Sequence, residues 1–138
     1  MSTIPTFSET VIVSSSTAFI EQQSDIKNNK FVFAYKITIS NSSDQAVQLL
    51  SRHWIITDAN LKTEEIYGEG VIGEQPLIKP GESYSYTSGA ILETEIGTMQ
   101  GRYFLITKPF DQSDSELNLE EFEVMIPKFT LTVLRTLH

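Results

Sequence analysis

The clearest periodic signal in the chain is the alternation of apolar and polar residues in FVFAYKITISN, residues 31–41. One face of this segment carries only apolar side chains: Phe31, Phe33, Tyr35, Ile37 and Ile39. A period of two, filled with β-branched and aromatic residues, is typical of a half-buried β-strand. The polar residues Asn-Ser-Ser-Asp at 41–44 interrupt the pattern and predict a turn.

Six further segments predict strands, and turn-forming residues separate them. They are ETVIVSSSTAFIE (9–21), VQLLSRHWIITD (47–58), TEEIYGEG (63–70), SYSYTSG (83–89), GTMQGRYFLITKP (97–109) and EEFEVMIPKFTLTVL (120–134), the last forming one or two strands. Both faces of segment 47–58 mix apolar and polar residues, so the pattern leaves its buried face open. No segment shows a helical period of adequate length.

Short strands separated by turns predict an all-β fold, an antiparallel β-sandwich, with a small closed barrel as the alternative. No linker, internal repeat or low-complexity tract divides the chain, which predicts a single domain over residues 1–138 with its core at about 8–132. Hydrophobic residues make up 40% of the 138 positions, enough for a core without covalent staples.

The stretch GEGVIG places Gly68, Gly70 and Gly73 in the G-x-G-x-x-G spacing of dinucleotide-binding loops. In such loops a glycine turn opens a helix whose free N–H groups hold a pyrophosphate. Pro76 and Pro80 exclude an ordinary helix after this loop, so the sequence argues against a Rossmann-type site. Two interpretations remain: the loop amides form a nest for an anion, or the glycines serve only the backbone geometry of a turn.

Composition narrows the function classes. The absence of cysteine excludes disulfides and a thiol nucleophile, and it fits a reducing compartment. No signal-peptide pattern opens the chain and no apolar run approaches a membrane span, so we expect a cytoplasmic protein without a membrane partner. The formal net charge of -8 makes a nucleic-acid partner unfavourable, because an acidic surface repels phosphate.

Residues able to carry catalysis or bind metal are few. His53 and His138 are the only histidines, and without cysteines they predict no tight transition-metal site. Glutamates near the loop offer at most a weak Mg²⁺ site: Glu64, Glu65, Glu69 and Glu74. We interpret His53 as a structural strand residue and Trp54 as part of the core. The sequence therefore predicts no catalytic constellation and no bound cofactor, and it favours a protein that is not an enzyme.

Several blocks in order along the chain resemble the ApaG family, also catalogued as DUF525. The blocks are FVFAY (31–35), LLSRHWIITDAN (49–60), GEGVIGEQP (68–76), PGESYSYTSG (80–89), GTMQGRY (97–103) and MIPKFTL (125–131). The resemblance covers nearly the whole chain. One departure is Leu61, where the family pattern leads us to expect glycine after Asn60.

The resemblance implies an immunoglobulin-like or fibronectin-III-like sandwich without an assigned reaction. It implies an association with cobalt-resistance and magnesium-efflux phenotypes in bacteria. It also implies a protein-binding role, by analogy with related domains in eukaryotic F-box proteins and in a DNA polymerase delta-interacting protein. The glycine motif is one that has been considered in the family as a pyrophosphate site.

The sequence supports three hypotheses. The first is a non-enzymatic module that binds a protein partner through the Gly68–Gly73 loop together with Tyr84 and Tyr86. The alternative is a sensor that binds pyrophosphate or a nucleotide, with or without Mg²⁺, at Gly68, Gly70 and Gly73. The third is an enzyme, which requires a pocket with acids converging on His53. No residue decides between a monomer and a homodimer.

Overall fold

The computed structural model describes residues 6–108 and 119–133, and strands dominate this part of the chain. A short helix, α1 (Phe7–Thr10), precedes the first strand, and single 3₁₀ turns lie at Glu21–Gln23 and Ile26–Asn28. The strands are β1 (Val11–Phe19), β2 (Phe31–Asn41), β3 (Ala46–Asp58), β4 (Thr63–Glu69), β5 (Leu77–Ile78), β6 (Ser83–Leu92), β7 (Ile96–Lys108) and β8 (Glu121–Thr132). None of the helices in this part is long and apolar enough to cross a membrane.

The strands form two antiparallel sheets that pack face to face. The smaller sheet has the order β1-β2-β6, and the larger has the order β4-β3-β7-β8, with β5 paired to the start of β3. Buried side chains from both sheets form one hydrophobic cluster. The prediction of an all-β antiparallel sandwich is confirmed. The finer immunoglobulin or fibronectin-III assignment stays a prediction.

The core forms where the alternation in the sequence predicts it. The apolar face of β2, from Phe31 to Ile39, is buried. Trp54 of β3 is 1% exposed and meets aromatic rings from three other strands edge-on: Tyr35, Tyr103 and Phe129. Such edge-to-face contacts add to the gain from burying the rings. Trp54 therefore lies in the core, as the sequence predicts, and it also joins the two sheets.

A β-bulge explains why the faces of β3 look mixed in sequence. The pairing of β3 with β7 shifts between Leu49 and Ser51, which leaves Leu50 as the extra residue. A bulge changes which residues face inward on its two sides. Odd-numbered Val47 and Leu49 are buried before the bulge, and even-numbered Trp54 and Ile56 are buried after it. The same shift places Arg52 on the inner face of the sheet.

The two sheets meet along one side of the sandwich. β1 of the smaller sheet lies against β8 of the larger, and the Thr17 hydroxyl donates to the Thr130 carbonyl at 3.4 Å. Phe7 of α1 stacks on Phe122 of β8, with ring centroids 5.4 Å apart. β8 runs as one strand through Pro127, opposite a shift in its pairing with β7. Proline is tolerated at such an irregular edge position.

The opposite side of the sandwich is open. β6 pairs only with β2, and β4 pairs only with β3, so no ladder joins β6 to β4 within the described residues. This gap distinguishes the fold from the closed barrel that the sequence left as an alternative, because a barrel has no edge strands.

The turn between β3 and β4 contains the departure from the family pattern. Leu61 has φ 65°, and its side chain is 81% exposed. The left-handed region favours glycine, so leucine is strained here. The Asp58 carboxylate accepts hydrogen bonds from the N–H groups of Asn60 and Lys62 at 2.8 and 3.0 Å. These bonds hold the turn in a conformation that its central residue does not favour.

Candidate functional site

The GEGVIG segment ends in a tight hairpin at the open side of the sandwich. The backbone groups of Val71 and Glu74 bond each other in both directions, at 2.8 and 3.0 Å. The two residues between them both have positive φ, 48° at Ile72 and 75° at Gly73. This is the pattern of a type I′ hairpin turn. A β-branched residue is a rare occupant of that position, and Ile72 is 59% exposed.

A different structural requirement explains the absence of a side chain at each glycine of the motif. Gly70 has φ 58°, and a Cβ there would collide with the carbonyl oxygen of Glu74. A Cβ on Gly68 would lie 2.7 Å from the central carbon of the Arg52 guanidinium, so this glycine leaves room for the arginine. Gly73 has φ 75° and open space around its Cβ position. The three residues are thus explained by backbone conformation and close approach.

The amides of the loop are largely used by the fold. The N–H of Gly70 donates to the Leu50 carbonyl at 2.8 Å, and the N–H groups of Val71 and Glu74 serve the hairpin. Arg52 Nη1 donates to the carbonyl oxygens of Glu69 and Gly70, at 3.0 and 2.6 Å. An anion nest needs N–H groups that converge on a ligand. Two of the loop's N–H groups, those of Gly70 and Val71, and the N–H of the following Glu74 face backbone carbonyls instead.

A cleft of about 500 Å³ lies between the two sheets beside this hairpin. β6 forms one wall, β4 and the hairpin form the other, and rings from β2 and β3 lie beneath them. The lining residues are Tyr35, Arg52, Trp54, Ile66, Val71, Ile72, Tyr86, Thr87, Ser88 and Gly89. The lining combines apolar and aromatic residues with the cation of Arg52 and the polar residues Thr87 and Ser88, as in many sites that bind organic ligands or peptide side chains.

The two tyrosines predicted as partner anchors have different positions. Tyr86 is 8% exposed, and its hydroxyl is hydrogen-bonded to that of Tyr103 within the core. Burial raises the pKa of both hydroxyls above the ordinary tyrosine value. Burial therefore removes Tyr86 from the candidate anchors. Tyr84 is half-buried, and its hydroxyl donates to Glu74 Oε2 at 3.2 Å, which ties β6 to the hairpin.

His53 lies on the other face of the larger sheet, away from the cleft. Its ring stacks on Tyr67, with centroids 4.0 Å apart, and its Nε2 is 3.5 Å from Glu65 Oε1. Among the described residues, no three histidine, aspartate or glutamate side chains gather as metal ligands. The carboxylate of Glu65 is thus a neighbour of the His53 ring. His138 lies outside the described residues.

Comparison with known proteins gives the chain a family. The family model of the ApaG domain matches residues 21–107. Protein ApaG of Thiobacillus denitrificans is 47% identical over 126 residues, which cover 91% of this chain and 92% of that protein. The chain belongs to the ApaG family. The resemblance carried by the sequence blocks is therefore confirmed.

Other ApaG relatives agree over the same length. Protein ApaG of Escherichia coli O1:K1 is 46% identical over 128 residues, covering 93% of this chain and 95% of that protein. A crystal structure described as the putative ApaA protein from Bordetella pertussis has a TM-score of 0.82 at 41% identity, covering 91% of this chain and 95% of that one. The sandwich is thus a fold that solved relatives share.

Most lining residues of the cleft, Arg52 among them, were not predicted as site residues from the sequence. Arg52 was missed because only the bulge at Leu50 turns it inward, and a bulge leaves no fixed mark in sequence. Ile72 lies within the predicted Gly68–Gly73 loop, but its positive φ was not predicted. The Ile-Gly pair between Val71 and Glu74 is a weak signal for a two-residue hairpin.

We expect alanine substitutions at the glycines to destabilise the fold by amounts that follow the φ angle and the space around each Cβ position. Gly70→Ala combines a positive φ with a collision against Glu74 and is expected to cost about 3 kcal/mol or more in the free energy of unfolding. Gly73→Ala keeps only the φ penalty and should cost about 1 kcal/mol. Urea denaturation measures both. Gly89→Ala, whose Cβ meets its nearest neighbour at 3.4 Å, is the control and should stay near neutral. Equal costs at Gly70 and Gly73 would contradict this assignment.

The buried tyrosine pair predicts a loss of stability at alkaline pH. Because burial raises the pKa of Tyr86 and Tyr103 in the folded state, the unfolded chain releases these protons first, near its ordinary value of 10.0. Their contribution is full below that pH and declines above it, by up to about 1.4 kcal/mol per pH unit for each tyrosine. Denaturation at several pH values measures the slope. The Tyr86→Phe/Tyr103→Phe variant should have a shallower slope, and an unchanged slope would show that other groups cause it.

Proposed function

We propose that this chain is a non-enzymatic module that binds a protein partner at the open side of its sandwich, through the cleft and the Val71–Glu74 hairpin. The observation that carries the proposal is the backbone of Ile72. Ile72 has a positive φ at an exposed hairpin tip, which is unfavourable for a β-branched residue. Asparagine or glycine would adopt this φ with little or no strain. Strain of this kind persists at functional sites, where the side chain is needed in that place.

The surroundings of Ile72 support the same proposal. The tip overhangs a cleft whose floor contains Tyr35 and Trp54, so an entering side chain would meet apolar and aromatic surface. A central apolar anchor beside a pocket, with polar groups at the rim, is the arrangement of an interface hot spot. Glu74 and Tyr84 hold the hairpin against β6 and would limit its reorganisation on binding.

The alternative function, a pyrophosphate or nucleotide sensor, has weaker support. The N–H groups of Gly70, Val71 and Glu74 are donated to carbonyls, and Arg52 Nη1 is directed to two more. A phosphate group would have to compete with these bonds. The Glu74 carboxylate, at the end of the hairpin, is negative and would repel a phosphate group. We attribute the cobalt-resistance and magnesium-efflux phenotypes that the family resemblance implies to the bound partner, and not to a metal ion held by this chain.

The proposal predicts opposite effects of Ile72→Asn on stability and on binding. Asparagine tolerates positive φ, so the variant should gain about 1 kcal/mol in the free energy of unfolding. It should also lose the apolar anchor and bind its partner about tenfold more weakly. A photo-cross-linking amino acid at Glu64, which is exposed and lies two residues before Ile66 on the same face of β4, reports binding in cells as adduct yield. The same probe at Ile12, exposed on the outer face of β1, is the control.

The expected result is a discrete protein adduct from position 64 that is absent from position 12 and much reduced by Ile72→Asn. Identical adducts from both positions would contradict the proposal. Saturable amide shifts at Gly68, Gly70 and Gly73 on titration with pyrophosphate or ATP, with or without Mg²⁺, would favour the sensor instead.

A further inference from the structure

β6 is an unusual edge strand because it carries no charge and no proline. Its sequence is SYSYTSGAIL, and within residues 6–108 and 119–133 its ten residues pair only with β2. Natural proteins protect long edges with charged residues, proline, bulges or covering elements, since an open edge accepts another strand. β4, the facing edge, contains three glutamates. β8 has Pro127 and charged residues, and it also lies against β1. β1, the other edge of the smaller sheet, also lacks charge and proline, but it lies against β8. Among these edges of the described residues, β6 alone has neither protective residues nor a covering strand.

The pairing pattern identifies which backbone groups of β6 point to the open side. The N–H of Asn41 donates to the Glu82 carbonyl, while the N–H of Ser42 donates to Thr10 of the other neighbour. Odd-numbered residues of β2 therefore bond toward β6, and the registers Ile39↔Tyr84 and Ile37↔Tyr86 are the bonded pairs. The intervening residues of β6 present their N–H and C=O groups outward: Ser83, Ser85, Thr87, Gly89 and Ile91.

These outward groups border the cleft. Thr87, Ser88 and Gly89 of β6 form its wall opposite Ile66 of β4, and Ile91 faces Thr63 across a second hollow farther along the same gap. The gap between β6 and β4 is therefore a groove that follows both strands. A strand added to β6 would satisfy the outward backbone groups, and alternate side chains of that strand would enter the cleft over Tyr35 and Trp54.

The charges around the groove indicate which kind of strand could bind there. Glu74 lies at one end of the groove, and Glu64 and Glu93 lie at the other. Two bases also line the groove, but Lys62 pairs with Glu93 at 3.6 Å and Arg52 bonds to loop carbonyls. With a formal net charge of -8, a second copy of this chain would be repelled, whereas a basic segment would be attracted.

We propose that the free side of β6 binds an extended segment of a partner protein as an additional strand, with alternate apolar side chains in the cleft and lysine or arginine at the solvent face. This inference rests on the proposed function and specifies its chemistry. Main-chain hydrogen bonds from Ser85, Thr87 and Gly89 provide the attachment, and the cleft selects the alternate side chains.

The test uses a capped peptide of alternating valine and lysine, as long as β6, and reads amide shifts and hydrogen exchange of the full chain. We expect saturable binding at millimolar peptide, with new protection at Ser85, Thr87 and Gly89. Thr87→Pro removes an outward N–H and leaves the β2 ladder intact, so it should weaken binding about tenfold. Thr87→Val keeps the N–H and should bind as the native chain does. A peptide of alternating valine and glutamate should bind about tenfold more weakly.

A peptide N-methylated at alternate residues tests the same bonds without altering the protein, in case Thr87→Pro disturbs folding. It should lose binding. Absence of saturable binding by the lysine peptide, equal binding by the N-methylated peptide, or protection that depends on protein concentration and thus reports a second copy would each overturn strand addition. Cross-linking from position 64 separates the two proposals. If Thr87→Pro leaves that adduct unchanged, strand addition fails while protein binding at the hairpin stands; if position 64 gives no specific adduct, the proposed function fails.

Discussion

The bulge in β3 is the constraint on which both the core and the cleft depend. One extra residue, Leu50, lets Val47 and Leu49 face the core before it and Trp54 and Ile56 face the core after it. Without the bulge, one of these apolar pairs would face outward, and burying such side chains is the main source of stability in the sandwich. Trp54 then meets rings from β2, β7 and β8. The fold and its inter-sheet contact thus follow from one irregularity.

The same bulge connects the core to the glycine loop. It turns Arg52 to the inner face, where its guanidinium lies over Gly68 and donates to the carbonyls of Glu69 and Gly70. The Gly70 N–H in turn bonds to the carbonyl of Leu50 itself. These contacts hold the end of β4 and deliver the hairpin, with Ile72 at its tip, to the mouth of the cleft. The glycine spacing matches the space that Arg52 occupies and the positive φ angles of the tight turn.

Sequence patterns predict this fold where local periodicity and burial agree. The alternation in β2 appears as a buried face, and the strand ends at Asn41, where the turn at 41–44 is predicted. The short β5, the inward turn of Arg52 and the strained Ile72 were beyond such patterns, because bulges and turn types depend on pairing between distant segments. Tyr86 is a second example. Alternation predicts which face of β6 it lies on, but it does not predict the hydrogen bond between its hydroxyl and that of Tyr103. The site was predicted as a loop and two tyrosines, and the structure adds the cleft between them.

The two sides of the sandwich differ in whether their edge strands contact each other. On one side β1 and β8 meet and α1 covers their ends. On the other, β6 and β4 remain apart and enclose a groove. Native-state hydrogen exchange of the unbound protein tests this difference most directly. The account predicts fast exchange at Ser85, Thr87 and Gly89, alternating with slow exchange at Tyr84, Tyr86 and Ser88. Uniform protection along β6 would show that the edge is already covered, and it would contradict the open groove.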